Sequence, residues 1–361
     1  MNPFAQLFGL YIHWPYCLSK CPYCDFASVV CSQPDYKKLL KGYQRDIDVF
    51  KAKTSSNKPL TSIFFGGGTP SLIPKEVFHR LFAIIEKNFV FSSDIEISIE
   101  ANPDAITYEK MLFFRDMGVN RISIGVQSLN ESDLRFLGRR HTLKRALECI
   151  EEAQKVFDNI NIDLIYARPH QTIADWETEL KTALGLGLKH YSLYQLTIEE
   201  NTPFGRQGIE TADEQRAVSL YQQTEEMMQM HGIPSYEISN YAHAGYECRH
   251  NLTYWRGCDY MGIGPAAQGR LNLWETINPP WIDEWINTSP LCTQLTAEEK
   301  NAERIIMGLR LKNEGLPISI FNPNGVQKAI QNGWATIRQD KFYPTETGFL
   351  LLNQLILLVT P

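Results

Sequence analysis

Asp94-Ile95-Glu96-Ile97-Ser98-Ile99-Glu100 carries isoleucine at every second position, and Arg121-Ile122-Ser123-Ile124-Gly125-Val126-Gln127 repeats the alternation. Side chains along a strand point to opposite faces in turn, so each segment has one apolar face and one polar face. A parallel strand covered by helices on both sides reads as continuously apolar. The polar face of these two strands therefore looks away from helices. It lines the interior of a barrel.

Outward from these segments, short apolar runs alternate with amphipathic stretches. Strands are predicted at Gly9–Trp14, Ser62–Phe65, Glu96–Glu100, Arg121–Val126, Asn161–Ile165 and His190–Gln195, with a weaker one at Ser235–Ser239. Helices are predicted near Asp35–Lys53, Lys75–Asn88, Thr107–Met117, Leu143–Phe157, Ile173–Leu184 and Asp213–His231, most of them opened by Pro, Asp, Thr or Ser. Six β/α steps imply a parallel sheet with right-handed crossovers. The expected fold is α/β, a partial (β/α)6 barrel over residues 1–240, with its chemistry at the carboxyl ends of the strands, where Gly66, Glu100, Gln127 and Gln195 fall. Residues 241–295, rich in Pro and Trp with little periodicity, read as a long connection draped over the barrel. From Thr296 a helix opens behind Thr-Ala-Glu-Glu and runs to about Lys312, so residues 296–361 read as a small, mostly helical C-terminal module.

Composition narrows the function. The 361 residues carry 35 Lys plus Arg against 41 Asp plus Glu, a formal net charge of -6, and 43% are hydrophobic. Collagen-like, coiled-coil and disordered chains are excluded. With no basic stripe to neutralise phosphates, no nucleic-acid partner is expected. Met1–Tyr16 lacks the pattern of a secretory leader. The most apolar stretch, Leu350–Val359, is too short for a membrane span and is broken by Asn353 and Gln354. The expectation is a cytoplasmic protein whose thiols stay reduced.

Three of the eight cysteines lie in Cys17-Leu-Ser-Lys-Cys21-Pro-Tyr-Cys24, just after the first strand. Three thiolates on one loop suit a soft metal centre with a vacant coordination position. Structural zinc usually takes four protein ligands, so a three-plus-one zinc site would have to borrow His13 or Cys31. Buried structural thiols are the remaining alternative. Cys31, Cys149, Cys258 and Cys292 are isolated and read as fillers.

Cys-x-x-x-Cys-x-x-Cys after the first strand of a β/α barrel resembles the signature of the radical S-adenosylmethionine enzymes. The resemblance implies a [4Fe–4S] cluster on Cys17, Cys21 and Cys24. Its fourth iron would be chelated by S-adenosylmethionine, whose reductive cleavage releases a deoxyadenosyl radical; the protein orients the cofactors and excludes water. Gly66-Gly67-Gly68-Thr69-Pro70 after the second strand is similar to the family's glycine-rich motif, where a missing Cβ admits the cofactor.

The resemblance sharpens to the group of oxygen-independent coproporphyrinogen III oxidases and the related HemW heme chaperones, and covers nearly the whole chain. It rests on Tyr11-Ile-His-Trp-Pro-Tyr-Cys17, Phe65-Gly-Gly-Gly-Thr-Pro-Ser71, Glu100-Ala-Asn-Pro-Asp104, Gly125-Val-Gln-Ser128, Asp163-Leu-Ile-Tyr166 and Glu247-Cys-Arg-His-Asn-Leu-Thr-Tyr-Trp255. By this resemblance Tyr11, Gly67, Gly68, Thr69, Glu100, Gln127, Arg139 and Asp163 take S-adenosylmethionine, some of them at a second-molecule place in the oxidases. Bland rivals are solvated carboxylates for Glu100 and Asp163, a surface charge for Arg139, a loop cap for Gln127 and a core residue for Tyr11.

Two departures separate oxidase from chaperone. The oxidases usually add a fourth Cys where this chain has Phe26, and carry a longer segment before the first strand. His250-Asn-Leu-Thr-Tyr254-Trp255 reproduces the chaperones' His-Asn-x-x-Tyr-Trp motif, which implies heme contact by His250, Tyr254 and Trp255, with Cys248 nearby. The same residues would otherwise anchor the connection on the barrel. The expected function is heme binding and delivery to an acceptor protein, with an electron donor such as a flavodoxin or ferredoxin. The alternative is an oxygen-independent coproporphyrinogen III dehydrogenase that oxidatively decarboxylates two propionates. Ala167-Arg168 stands where the family has Gly-Leu after Asp-Leu-Ile-Tyr, which is expected to put charge beside the lumen or to shift this segment.

Overall fold

The computed structural model describes residues 6–53 and 58–361. The reading that no leader opens the chain falls partly on residues 1–5, outside the described residues. Six β/α steps follow one another: β1 (Phe8–Trp14), α1 (Tyr36–Ala52), β2 (Leu60–Gly67), α2 (Lys75–Asn88), β3 (Phe91–Ala101), α3 (Tyr108–Asp116), β4 (Arg121–Gln127), α4 (Leu143–Gln154), β5 (Asn159–Tyr166), α5 (Ile173–Leu184), β6 (His190–Gln195) and α6 (Glu214–Met230). The six strands are parallel and paired in chain order.

The alternation seen in the sequence decides which face meets what. Ile97, Ile99, Ile122, Ile124, Val126, Ile162 and Leu164 are buried under the helices. Phe65 of β2 meets Phe78 of α2 at 4.9 Å between ring centroids, and Phe78 meets Phe114 of α3 at 5.0 Å. Each such side chain contributes about 1.5–3 kcal/mol on full burial. The opposite face carries Glu100, Arg121, Ser123, Asn161, Asp163 and Ser192, all lining one cavity. Register stacks them in layers, with Glu100 beside Ser123, Ser123 beside Asn161, and Asp163 beside Ser192.

Helix starts follow the polar cap residues. Thr172 before α5 accepts a hydrogen bond from the Asp175 amide at 3.1 Å, and the Asp175 carboxylate accepts one from the Thr172 amide at 2.9 Å. Such a reciprocal cap is worth about 1 kcal/mol.

After α6 the structure departs from the sequence-based expectation. The weak strand expected at Ser235–Ser239 gives way to β7 (Asn240–Ala242), antiparallel to β6, with only a bridge from Ser235 to Tyr241. Residues 241–295 are a sheet extension, not an irregular drape. Behind α7 (Arg249–Trp255), β8 (Asp259–Ile263) inserts parallel to β1, and β9 (Gln268–Leu271), β10 (Trp274–Ile277) and β11 (Leu291–Gln294) continue antiparallel. The sheet order is β11-β10-β9-β8-β1-β2-β3-β4-β5-β6-β7. Strands of four or five residues are too short for periodicity to reveal.

Asp46 of α1 fastens this extension. Its Oδ2 accepts from the Gly264 amide at 2.9 Å, Asn278 Nδ2 at 2.9 Å and the Trp285 indole at 2.8 Å. The connection is thus held by Asp46 and Trp285.

A second apolar cluster gathers Ile305 of α8 (Ala297–Gly308), Val326 of α9 (Pro323–Gln331), Ala335 of β12 (Ala335–Arg338), Phe342 of β13 (Lys341–Pro344), and Leu355 and Val359 of α10 (Leu352–Val359). The helix expected to reach about Lys312 ends at Gly308. Leu316–Pro317 joins β12 and β13 in a small three-stranded sheet that the apolar pattern did not announce. Among the described residues no helix is long and apolar enough to cross a membrane.

Candidate functional site

The polar strand faces and the loops above them enclose a cavity of about 530 Å³. Tyr11, Cys17, Cys21, Cys24, Gly67, Gly68, Thr69, Glu100, Gln127, Arg139, Asp163, His250 and Tyr254 all line it. Trp255 does not. Its ring lies under Arg310, 5.7 Å from the guanidinium carbon.

The cysteine loop is held by its backbone. Tyr16–Cys17 pairs with Val29–Val30, and the Cys24 amide donates to the Cys21 carbonyl at 3.1 Å. The three thiols are free and half-buried. The Gly68 amide donates to the Trp14 carbonyl at 2.7 Å and the Thr69 amide to the Tyr16 carbonyl at 2.9 Å, so the glycine-rich turn lies directly on the cysteine loop. A Cβ on Gly68 would stand 2.7 Å from Tyr16 O and 3.0 Å from Cys17 Sγ. Gly67 has φ +105, and a Cβ there would strike the His13 ring.

A side-chain chain links two of the cysteines. Thr69 Oγ1 donates to Cys17 Sγ at 3.5 Å, Asn102 Nδ2 donates to Thr69 Oγ1 at 3.1 Å, and Arg139 donates to Asn102 Oδ1 at 2.6 Å and to Cys21 Sγ at 3.3 Å. Arg139 also donates to the Gly125 carbonyl at 2.9 Å. It is an interior residue of the site, not a surface charge. Asn102 is the site residue that sequence reasoning did not single out, although it lies in the stretch Glu100-Ala-Asn-Pro-Asp104 just past the end of β3. Gln127 sits at φ +70 beside a bulge between β4 and β5, a conformation costing a non-glycine residue about 1–2 kcal/mol. Strain of this kind concentrates at binding sites.

His13 is not a fourth ligand. Its Nδ1 meets the Tyr11 hydroxyl at 3.0 Å and its Nε2 the Ala27 carbonyl at 2.8 Å. Among the described residues no three His, Cys, Asp or Glu side chains are grouped as ligands of one ion. Three soft thiols with Gly68 beside them, where a Cβ would crowd Cys17, fit an iron–sulfur centre with one thiolate per iron.

Glu100 and Asp163 are half-buried carboxyls lining the lumen. Burial, helped by Asp163, pushes Glu100 up to about 8; it accepts a hydrogen bond from the Gly67 amide at 3.1 Å. Burial also raises Asp163, against hydrogen bonds from Asn161 at 2.8 Å and Ser123 at 3.3 Å. Native Glu100 thus holds its proton more tightly than the unfolded chain does, so its contribution is complete below about 4.5 and disappears as pH rises through about 8. The ligand-free chain is expected to lose urea resistance between about pH 5 and about pH 9, and Glu100→Gln to flatten that loss. Parallel pH profiles for the two proteins would remove Glu100 as the cause.

His250 is 1% exposed at the inner end of the cavity. Its Nδ1 meets Ser62 Oγ at 2.9 Å and its Nε2 the Tyr254 hydroxyl at 2.7 Å, so both ring nitrogens are engaged. Burial, aided by the Arg121 charge, drives it down to about 3, and the ring stays neutral. Cys248 lies against Glu96, its thiol raised by burial to about 12.

Arg168 does not enter the lumen. It is 2% exposed, and its Nη2 pairs with Glu179 and, at 3.0 Å, with Asp133 on the helix side of the sheet. Ala167 before it has φ +59, the left-handed conformation that suits glycine.

A family model described as the Radical SAM superfamily matches residues 11–183. The heme chaperone HemW of Haemophilus influenzae is 36% identical over 374 residues, covering 96% of each chain. HemW of Escherichia coli is 33% identical over 367 residues, covering 96% of this chain and 97% of its own. Among solved structures, the coproporphyrinogen III oxidase HemN from Escherichia coli, a radical SAM enzyme, superimposes with TM-score 0.83 at 21% identity, covering 98% of this chain and 89% of its own. At that identity the likeness establishes the fold. Shared length, sequence and cysteine loop together place this chain in the HemW family of the radical SAM superfamily.

Proposed function

We propose that the chain binds heme and delivers it to acceptor proteins in the cytoplasm, with a [4Fe–4S] cluster and S-adenosylmethionine as resident cofactors. The end-to-end similarity to proteins named heme chaperone HemW carries this reading. Cys17, Cys21 and Cys24 would hold the cluster. Bound there, cluster and sulfonium nucleotide would supply one-electron chemistry drawn from a flavodoxin- or ferredoxin-like donor.

The chain's own residues do the positioning. Gly67 and Gly68 leave backbone open beside the thiols, Arg139 and Asn102 fix the loop, and Glu100 and Asp163 offer acceptors for ribose hydroxyls or an ammonium group. Tyr11 and Gln127 close the sides, and the helices behind the apolar strand faces exclude water.

Heme contact falls to the inner turn of α7. Nε2 of His250 reaches iron only after the Tyr254 hydroxyl leaves it, and both residues lie one turn apart on the same short helix. Trp255 would contribute only from outside the cavity. In a heme titration, His250→Ala is expected to weaken binding at least tenfold and to change the absorption spectrum; unchanged affinity and spectrum would remove His250 from the site. An anaerobic assay of the reconstituted protein decides against the oxidase alternative if coproporphyrinogen III is not consumed. Turnover would overthrow the carrier reading.

A further inference from the structure

Arg121 starts β4, points into the lumen and is 2% exposed. Its Nε has no partner, and no hydrogen bond or ion pair joins the guanidinium to another group among the described residues. A guanidinium has five N–H donors in a rigid fork; the neighbouring Glu96 and Asp163 carboxyls favour its charge without taking any of those donors. Nearby polar groups are already occupied. Glu96 accepts from the Arg249 amide at 3.0 Å and the His250 amide at 3.2 Å, and Asp163 is bonded to Asn161 and Ser123. Asn161 in turn accepts from His190 at 2.6 Å and from Ser192 at 3.1 Å. The network around Arg121 is closed without it.

Its charge nevertheless reaches across the lumen. It helps hold His190 and His250 neutral and opposes the rise of Glu100. Burial that raises Asp163 weakens the negative field an incoming anion would meet.

We propose that the inner lumen is a carboxylate subsite with Arg121 as its anchor, taking one carboxylate of the bound ligand in a forked, two-bond contact. This rests on the heme reading for one source of that carboxylate, a porphyrin propionate. The carboxylate of a second S-adenosylmethionine molecule, one that does not chelate the cluster, is the other source with the same chemistry.

The test compares iron protoporphyrin IX with its dimethyl ester on the full chain, and S-adenosylmethionine on the cluster-reconstituted chain. If the propionate is held, wild-type protein binds the free acid at least tenfold more tightly than the ester, and Arg121→Gln abolishes the preference. If the cofactor carboxylate is held, Arg121→Gln weakens S-adenosylmethionine at least tenfold and leaves heme unchanged. Arg121→Lys, which keeps charge but loses the fork, gives an intermediate value in whichever arm responds. Should Arg121→Gln fail to fold, the ester comparison on wild-type protein and the Arg121→Lys cofactor affinity still decide. No ester preference together with full cofactor affinity in the Arg121 variants overturns the subsite. Absence of any heme binding by wild-type protein would instead defeat the heme reading and leave the cofactor arm as the test.

Discussion

Replacing Cys21 by alanine is expected to reduce the iron taken up on anaerobic reconstitution from about four atoms per chain to near zero. Each thiolate of the trio serves one iron, so removing one leaves two irons of the cube without a protein ligand. Cys21 is also the thiol that Arg139 touches, and its loss unties the network running through Asn102 and Thr69 to Cys17. Cys17→Ala and Cys24→Ala should behave alike, whereas Cys31→Ala, at an exposed thiol, should reconstitute as wild type. Iron and sulfide counts with the visible absorption band are the measurements. A full cluster in the Cys21→Ala protein would mean that the loop does not hold it.

Arg168→Leu is expected to destabilise the fold by about 3–5 kcal/mol. The guanidinium sits against Glu179, a carboxylate 7% exposed that also accepts from Ser128 Oγ at 2.6 Å and from the Leu129 amide at 2.7 Å. Leucine removes the guanidinium paired with a buried carboxylate that keeps its bonds from Ser128 and Leu129. Adding Glu179→Gln should recover part of the loss, because the amide oxygen can still accept from Ser128 and Leu129 without carrying charge. Urea midpoints of the three proteins measure this. A cost below about 1 kcal/mol for Arg168→Leu would show that Glu179 does not depend on the pair.

The cysteine trio and the polar lumen were legible because each is a local pattern. Ligand spacing is written within eight residues, and the period-two alternation of β3 and β4 reports directly which face meets helices. What escaped depends on distant partners. The hydrogen bond between Ser62 and His250 joins residues 188 apart. No local feature tells a heme-ready imidazole from one sealed in the barrel wall. Arg168 reads from sequence as a charge beside the lumen or a shift of its segment; in the structure Ala167 before it is left-handed and the guanidinium pairs with Glu179 on the helix side. The sheet extension was missed because β8 to β11 are short, and their pairing with β1 and with one another supplies the order that periodicity lacks.

The insertion of β8 beside β1 sets a timetable for biosynthesis. Pairing of Phe8–Ile12 with Asp259–Ile263 leaves this strand without one neighbour until about 250 further residues have been translated. At roughly 5–20 residues per second that delay lasts on the order of 10–50 s. Throughout it, one rim of the nascent barrel offers unpaired amides and carbonyls beside apolar side chains, the kind of surface that attracts other chains. The interval before that rim closes is when the growing polypeptide most needs shielding by a molecular chaperone.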